Sequence, residues 1–179
     1  SEVEEAVERV KKLLEKVRKD NEEFRERVRK SNEEAEERNR RVVEEVRRSN
    51  EELKEKVERS NRDERIKEKV KRIVETSEKL LRESHKTAKD IIRETEELLE
   101  RSHEIVREII ERVKKLLDEG GEDVEDLKRR VKELADEARR ISEKVLRDNK
   151  RLLTELDKIS ERVLRENEKL VREVEETIR

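Results

Sequence analysis

The stretch from Ser77 to His103 reads SEKLLRESHKTAKDIIRETEELLERSH. Apolar pairs (Leu80–Leu81, Ile91–Ile92, Leu98–Leu99) recur along it and are broken by Ser77, Ser84–His85, Thr95 and Ser102–His103. The apolar positions follow one another in steps of three and four, so they line one face of an α-helix. The polar interruptions fall on that same face, where water should be scarcest. Such a face has to be covered by other helices, and its polar groups must find hydrogen bonds inside.

Working outward, the same stepping runs from Glu2 to about Ser60, from Glu64 to about Asp118, and from Val124 to about Ile178. Only two places punctuate it. Ser60-Asn61-Arg62-Asp63 offers Asp63 as a cap for the second helix. Glu119-Gly120-Gly121-Glu122-Asp123 offers a glycine for the left-handed residue that ends a helix, and Asp123 to cap the next. Three helices are expected, each roughly 80–90 Å long at about 1.5 Å per residue. With turns at about 61–63 and 119–123, neighbours run antiparallel. The fold class expected is therefore all-α: one up-down-up bundle of three long, nearly straight helices over residues 1–179.

Composition agrees. Charged residues make up 57% of the 179 and apolar residues 29%, a balance that without periodicity would mean disorder. Here 50 Lys and Arg nearly cancel 52 Asp and Glu, and the pattern is helical throughout, as in coiled-coil chains. The signs are interleaved, which argues against a nucleic-acid surface. No apolar run approaches the roughly 18 residues of a membrane span. No basic segment followed by an apolar one opens the sequence, so no signal peptide is expected. With no Cys there is no disulfide and no thiolate metal site. Localisation is not legible.

The repeat is finer than a heptad. ISEKVLRDN (Ile141 to Asn149) returns as ISERVLREN (Ile159 to Asn167), an offset of eighteen. Ser84-His85 returns as Ser102-His103, Asn21 as Asn39, and Ser31-Asn32 as Ser49-Asn50 with that same offset. Eighteen residues is five turns at about 3.6 per turn, the period of a nearly straight helix. Antiparallel pairing about the two turns then brings the interruptions level in four polar layers: Asn21, His103 and Ser142; Asn39, His85 and Ser160; Thr95 with Ser31, Asn32 and Asn149; and Ser77 with Ser49, Asn50 and Asn167. Satisfied polar layers penalise any shifted alignment, because a shift sets polar against apolar.

With these features in view, the chain resembles de novo designed, parametrically generated helical bundles with buried hydrogen-bond networks. The likeness covers its whole length. It extends to the omissions: Pro, Met, Trp, Tyr, Cys and Gln are absent and Phe24 is the only aromatic, while Leu, Ile, Val and Ala supply the apolar face. A start at Ser1 fits removal of a tag. More narrowly, Asn21/His103/Ser142 and Asn39/His85/Ser160 resemble the buried-histidine networks of designed pH-responsive oligomers. That likeness implies disassembly or rearrangement in acid.

A neutral imidazole donates from one nitrogen and accepts at the other, which suits an Asn–His–Ser network. Protonation makes both nitrogens donors and puts a charge in a dry layer. Stability is then complete at neutral pH and lost as the pH falls below roughly 6. The competing expectation is that both imidazoles are merely exposed. Catalysis fits poorly: Ser84 and His85, adjacent on a helix, point about 100° apart, so no nucleophile–base pair forms within the chain. Nor are metal ligands expected, since His85 and His103 lie about 27 Å apart along the axis. No enzyme, cofactor or small-molecule substrate is expected. The charge runs read as solvated faces with pairs at i, i+4.

Helix two carries a second stripe: Val74, Leu81, His85, Ile92, Leu99, His103, Ile110 and Leu117. Helix three carries Ala135, Ser142, Leu146, Leu153, Ser160, Leu164 and Val171. In a closed single-chain bundle each helix touches two others and needs so wide a stripe. The alternatives are a homo-oligomer, a trimer with helix two nearest the axis, or a module that adds another helical chain at the edge of helices two and three.

Overall fold

A computed structural model describes residues 2–120 and 123–179. Ser1, and Gly121 and Glu122 of the expected second turn, lie outside the described residues. The described residues form three α-helices: α1, Glu2–Arg59; α2, Glu64–Glu119; and α3, Val124–Ile178. The expected boundaries hold to within a residue. No proline interrupts them, and most positions carry Glu, Arg, Lys or Leu, among the better helix formers.

The helix ends are built as the sequence indicates. Asp63 Oδ1 accepts from the Arg65 amide at 3.5 Å, and its carbonyl accepts from the Ile66 and Lys67 amides. Asp123 Oδ1 accepts from the Glu125 amide at 3.3 Å, and its carbonyl from that of Leu127. These aspartates answer amides that have no partner inside the helix. Gly120 has φ of 65°, the left-handed conformation that side chains resist.

Contacts divide the chain into two compact units, and each helix contributes a segment to each. The first comprises Ser1–Ser31 and Glu94–Arg151; the second comprises Asn32–Arg93 and Leu152–Arg179. In the first unit Asn21 meets His103 while Arg25 meets Glu100, so α1 and α2 run antiparallel. In the second, Arg38 pairs with Asp157 and Asn39 with Ser160, so α1 and α3 run parallel. This is the up-down-up arrangement of a three-helix bundle.

The core of each unit is segmented. In the first, Val10, Leu14, Val106, Ile110, Val113, Leu127 and Val131 make one apolar cluster. Phe24, Val28, Leu99 and Val145 make another. The second unit holds three clusters: one around Ala35, Ala88 and Leu156, one around Val46, Leu81 and Val163, and one around Leu53, Val70 and Val174. The gap between the two clusters of the first unit falls at Asn21, His103 and Ser142. The gaps in the second fall at Asn39 and Ser160 and at Asn50, Ser77 and Asn167. Burial also recurs every eighteen residues along a helix. Val10, Val28 and Val46 are all buried on α1, as are Leu127, Val145 and Val163 on α3.

Most of the second stripe of α2 is covered within the chain, but His85 is exposed. Leu99, His103, Ile110 and Leu117 are buried in the first unit, and Val74 and Leu81 in the second; Ile92 is half-buried. The stripe of α3 is less covered: Ala135, Ser142, Leu153, Leu164 and Val171 are half-buried and Leu146 is 51% exposed.

Candidate functional site

The polar layers are where side-chain chemistry departs from packing. The most complete lies in the second unit. Asn50 of α1, Ser77 of α2 and Asn167 of α3 are all buried. Asn50 Nδ2 donates to Ser77 Oγ at 3.1 Å, and Ser77 Oγ lies 2.7 Å from Asn167 Oδ1 and 3.2 Å from Asn50 Oδ1. A hydroxyl has one proton. The shorter contact takes it, so the bonds run in one direction, from the Asn50 amide through the Ser77 hydroxyl to the Asn167 carbonyl. Three separate helices are thereby tied at one level. Ser49, expected in this layer, is half-buried and lines a groove beside Asn167 instead.

In the same unit, Asn39 and Ser160 are both buried, and Asn39 Nδ2 donates to Ser160 Oγ at 2.8 Å. Ser160 Oγ in turn lies 3.2 Å from the Leu156 carbonyl of its own helix. This pair is closed without histidine. His85, expected to complete it, is exposed on the wall of an open groove of about 380 Å³ that it shares with Asn39, Arg40 and Ala88. The expected Asn39/His85/Ser160 network is therefore corrected to Asn39/Ser160. The Asn39 amide reaches α3 rather than α2, so it is spent on Ser160 and does not meet the imidazole. An imidazole without an interior partner is better solvated.

In the first unit the imidazole is buried, as expected. His103 is 5% exposed, and Asn21 Nδ2 lies 3.1 Å from its Nδ1 and 3.4 Å from its backbone carbonyl. On the other side of the ring, Nε2 lies 3.4 Å from a Glu22 carboxylate oxygen. With Asn21 donating, Nδ1 accepts and Nε2 carries the proton toward Glu22, the tautomer of a neutral ring. Ser142 is half-buried and, among the described residues, makes no bond to His103, so the third member of the expected triad is replaced by Glu22. The neighbouring charges are otherwise engaged: Arg25 with Glu100, and Arg107 with Glu104. Glu22 is what residue-by-residue reading missed.

Thr95 and Asn149 are buried in the first unit and Asn32 in the second, as expected. Ser31 is exposed, which corrects its place in that layer. Its neighbour Asn32 holds the inward position, because adjacent helix residues diverge by about 100°. Ser102, also buried, is satisfied by its own helix, donating to the Leu99 carbonyl at 2.8 Å.

At the surface, the Arg18 guanidinium beside Glu15 holds that carboxyl below the usual range. The Glu78 carboxylate, bonded to Lys54 across α1 and α2, holds the ammonium above its usual range. Among the described residues, no group of three or more His, Cys, Asp or Glu is placed to hold a metal ion. No described helix is long and apolar enough to cross a membrane.

Comparison with protein families, with curated proteins and with solved structures found no match.

Proposed function

We propose that this chain is a structural protein of the kind its resemblance implies, an idealised designed bundle whose buried polar layers impose one alignment on three helices. We further propose that the layer at His103 makes that alignment respond to acid. The first part rests on one observation: Asn50, Ser77 and Asn167, from three helices, form a single directed set of hydrogen bonds in a buried layer. Shifting any helix by a turn would break these bonds and bury a polar group against an apolar cluster, at about 1–3 kcal/mol per group.

The acid response is assigned to His103, because His85 is exposed and has no buried layer to disturb. Protonation turns Nδ1 from acceptor to donor, so it opposes the Asn21 amide N–H. The layer recovers only if the Asn21 amide turns over to present Oδ1. Glu22 then faces an imidazolium. In this proposal the neutral ring keeps the layer and an imidazolium breaks its bond with Asn21.

The alignment role is tested by spin labelling. The chain has no cysteine, so cysteines placed at the exposed Arg47 and Lys79 report one α1–α2 distance. In the parent protein one narrow distance is expected. With every buried polar side chain replaced by Leu, Val or Ala, the distribution should broaden by about one turn, or roughly 5 Å, although melting occurs no earlier. A distribution as narrow as the parent's would mean that the short turns alone hold the alignment, and would overturn the proposal.

A further inference from the structure

The first unit carries an open groove of about 510 Å³ between the parallel segments of α1 and α3. Its floor includes Val17, Phe24, Val131 and Ala138. Leu13, also in the lining, is 38% exposed, and Leu146, one turn beyond Ser142 on α3, is 51% exposed. Among the described residues, large apolar side chains are not left so open elsewhere along these two segments, apart from Val3. Two observations say what would cover them.

The first is charge. The chain as a whole is nearly neutral, at −2. The rim of this groove is not: Lys16, Arg27, Lys132 and Arg139 face a single carboxylate, Asp20. Arg139 is paired with Asp136 on its own helix, which still leaves three cations against one anion. The groove between α1 and α2 in the second unit, by contrast, sets Lys54, Lys67 and Lys71 against Glu58, Glu68, Glu75 and Glu78. The second is an incomplete polar layer. Asn21 gives its amide nitrogen to His103, but its Oδ1 and the Ser142 hydroxyl, both half-buried at the groove, make no hydrogen bond among the described residues.

We propose that the α1–α3 groove of the first unit takes an amphipathic helix of another chain, with acidic flanks and one hydrogen-bonding side chain level with Asn21 and Ser142. Leu and Ile on the incoming helix cover Leu13, Val17 and Leu146. Its Glu residues meet Lys16, Arg27 and Lys132. An Asn at the level of the layer donates to Asn21 Oδ1 and accepts from Ser142. Because α1 and α3 run parallel here, an antiparallel fourth helix sets its dipole favourably against both and completes an alternating bundle. This differs in place from the edge of α2 and α3, where Ile105 is the exposed apolar side chain. It stands apart from the proposed acid response and alignment, which could fail without affecting it.

The test uses the full chain and labelled peptides of about 25 residues with Leu at the core positions and one central Asn. One carries Glu flanks, one Lys flanks, and one has the Glu-flanked composition scrambled. Fluorescence anisotropy at neutral pH and low salt should show the Glu-flanked peptide binding about tenfold or more tightly than the Lys-flanked one, and the scrambled one not at all. In K16E/K132E, two exposed substitutions checked for helicity by circular dichroism, the preference should reverse. Equal binding of both flanked peptides, an unchanged preference in K16E/K132E, or binding of the scrambled peptide would overturn the proposal. So would sedimentation showing that the chain dimerises by itself through this groove and that Leu146→Glu abolishes it, since the occupant would then be a second copy.

Discussion

At the scale of single residues, the two histidines show how a buried polar group is chosen by its partners. They occupy equivalent places in an eighteen-residue repeat, yet one is 5% exposed and bonded and the other lies in water. At His103 the Asn21 amide lies against Nδ1 and the Glu22 carboxylate faces Nε2, whereas the Asn39 amide is spent on Ser160. On the proposed acid response, Glu22→Gln, which leaves Nε2 no carboxylate to face, should make the protein unfold at higher pH in an acid titration followed by circular dichroism. His103→Asn should move the midpoint the other way. Identical midpoints for E22Q, H103N and the parent would remove His103 from the acid response. His85→Lys should shift neither midpoint nor stability by more than about 0.5 kcal/mol, as at other exposed sites.

At the scale of elements, the helices owe their ends to three residues and their packing to a few close approaches. Gly120 has no atom within 4 Å of where a Cβ would lie, so Gly120→Ala meets no clash. Its cost, about 1 kcal/mol by urea denaturation, comes from the left-handed backbone alone. The second unit contains a tighter contact. Ala35 is 0% and Ala88 1% exposed, opposite Leu156 at 0%. Small residues on α1 and α2 leave room for the leucine of α3. Leu156→Ala should cost about 2–5 kcal/mol by opening a cavity. Ala88→Leu should cost about 1–3 kcal/mol by overfilling the same place. If A88L were neutral, that contact would be looser than the buried surfaces indicate.

At the scale of the whole chain, most of the architecture was legible because periodicity and punctuation agree. Steps of three and four, two turns and two aspartate caps locate three helices to within a residue. The eighteen-residue recurrence, with antiparallel pairing, pointed to the levels at which Asn21 meets His103, Asn39 meets Ser160, and Asn50 and Asn167 meet Ser77. What stayed hidden was which of several level groups bond. Asn39 could reach α2 or α3, and Ser31 and Asn32 could each have turned inward. Those choices depend on rotamers and on neighbours such as Glu22 that lie off the apolar stripe, so a pattern read along the stripe alone passes over them. The wide stripe on α2 was ambiguous for a related reason: the same residues suit a neighbour in the chain or a copy of it. Within each unit most of them are buried, while His85 is exposed and Ile92 half-buried.

The central claim is that Asn50, Ser77 and Asn167 act as one connected layer. The most direct test is a mutational cycle measured by urea denaturation. Ser77→Ala alone should cost about 2–4 kcal/mol, because it leaves both asparagines short of a partner in a buried site. Replacing all three, Asn50→Leu with Ser77→Ala and Asn167→Leu, should cost less than Ser77→Ala alone or stabilise the fold. Losses that simply add across the three positions would contradict it.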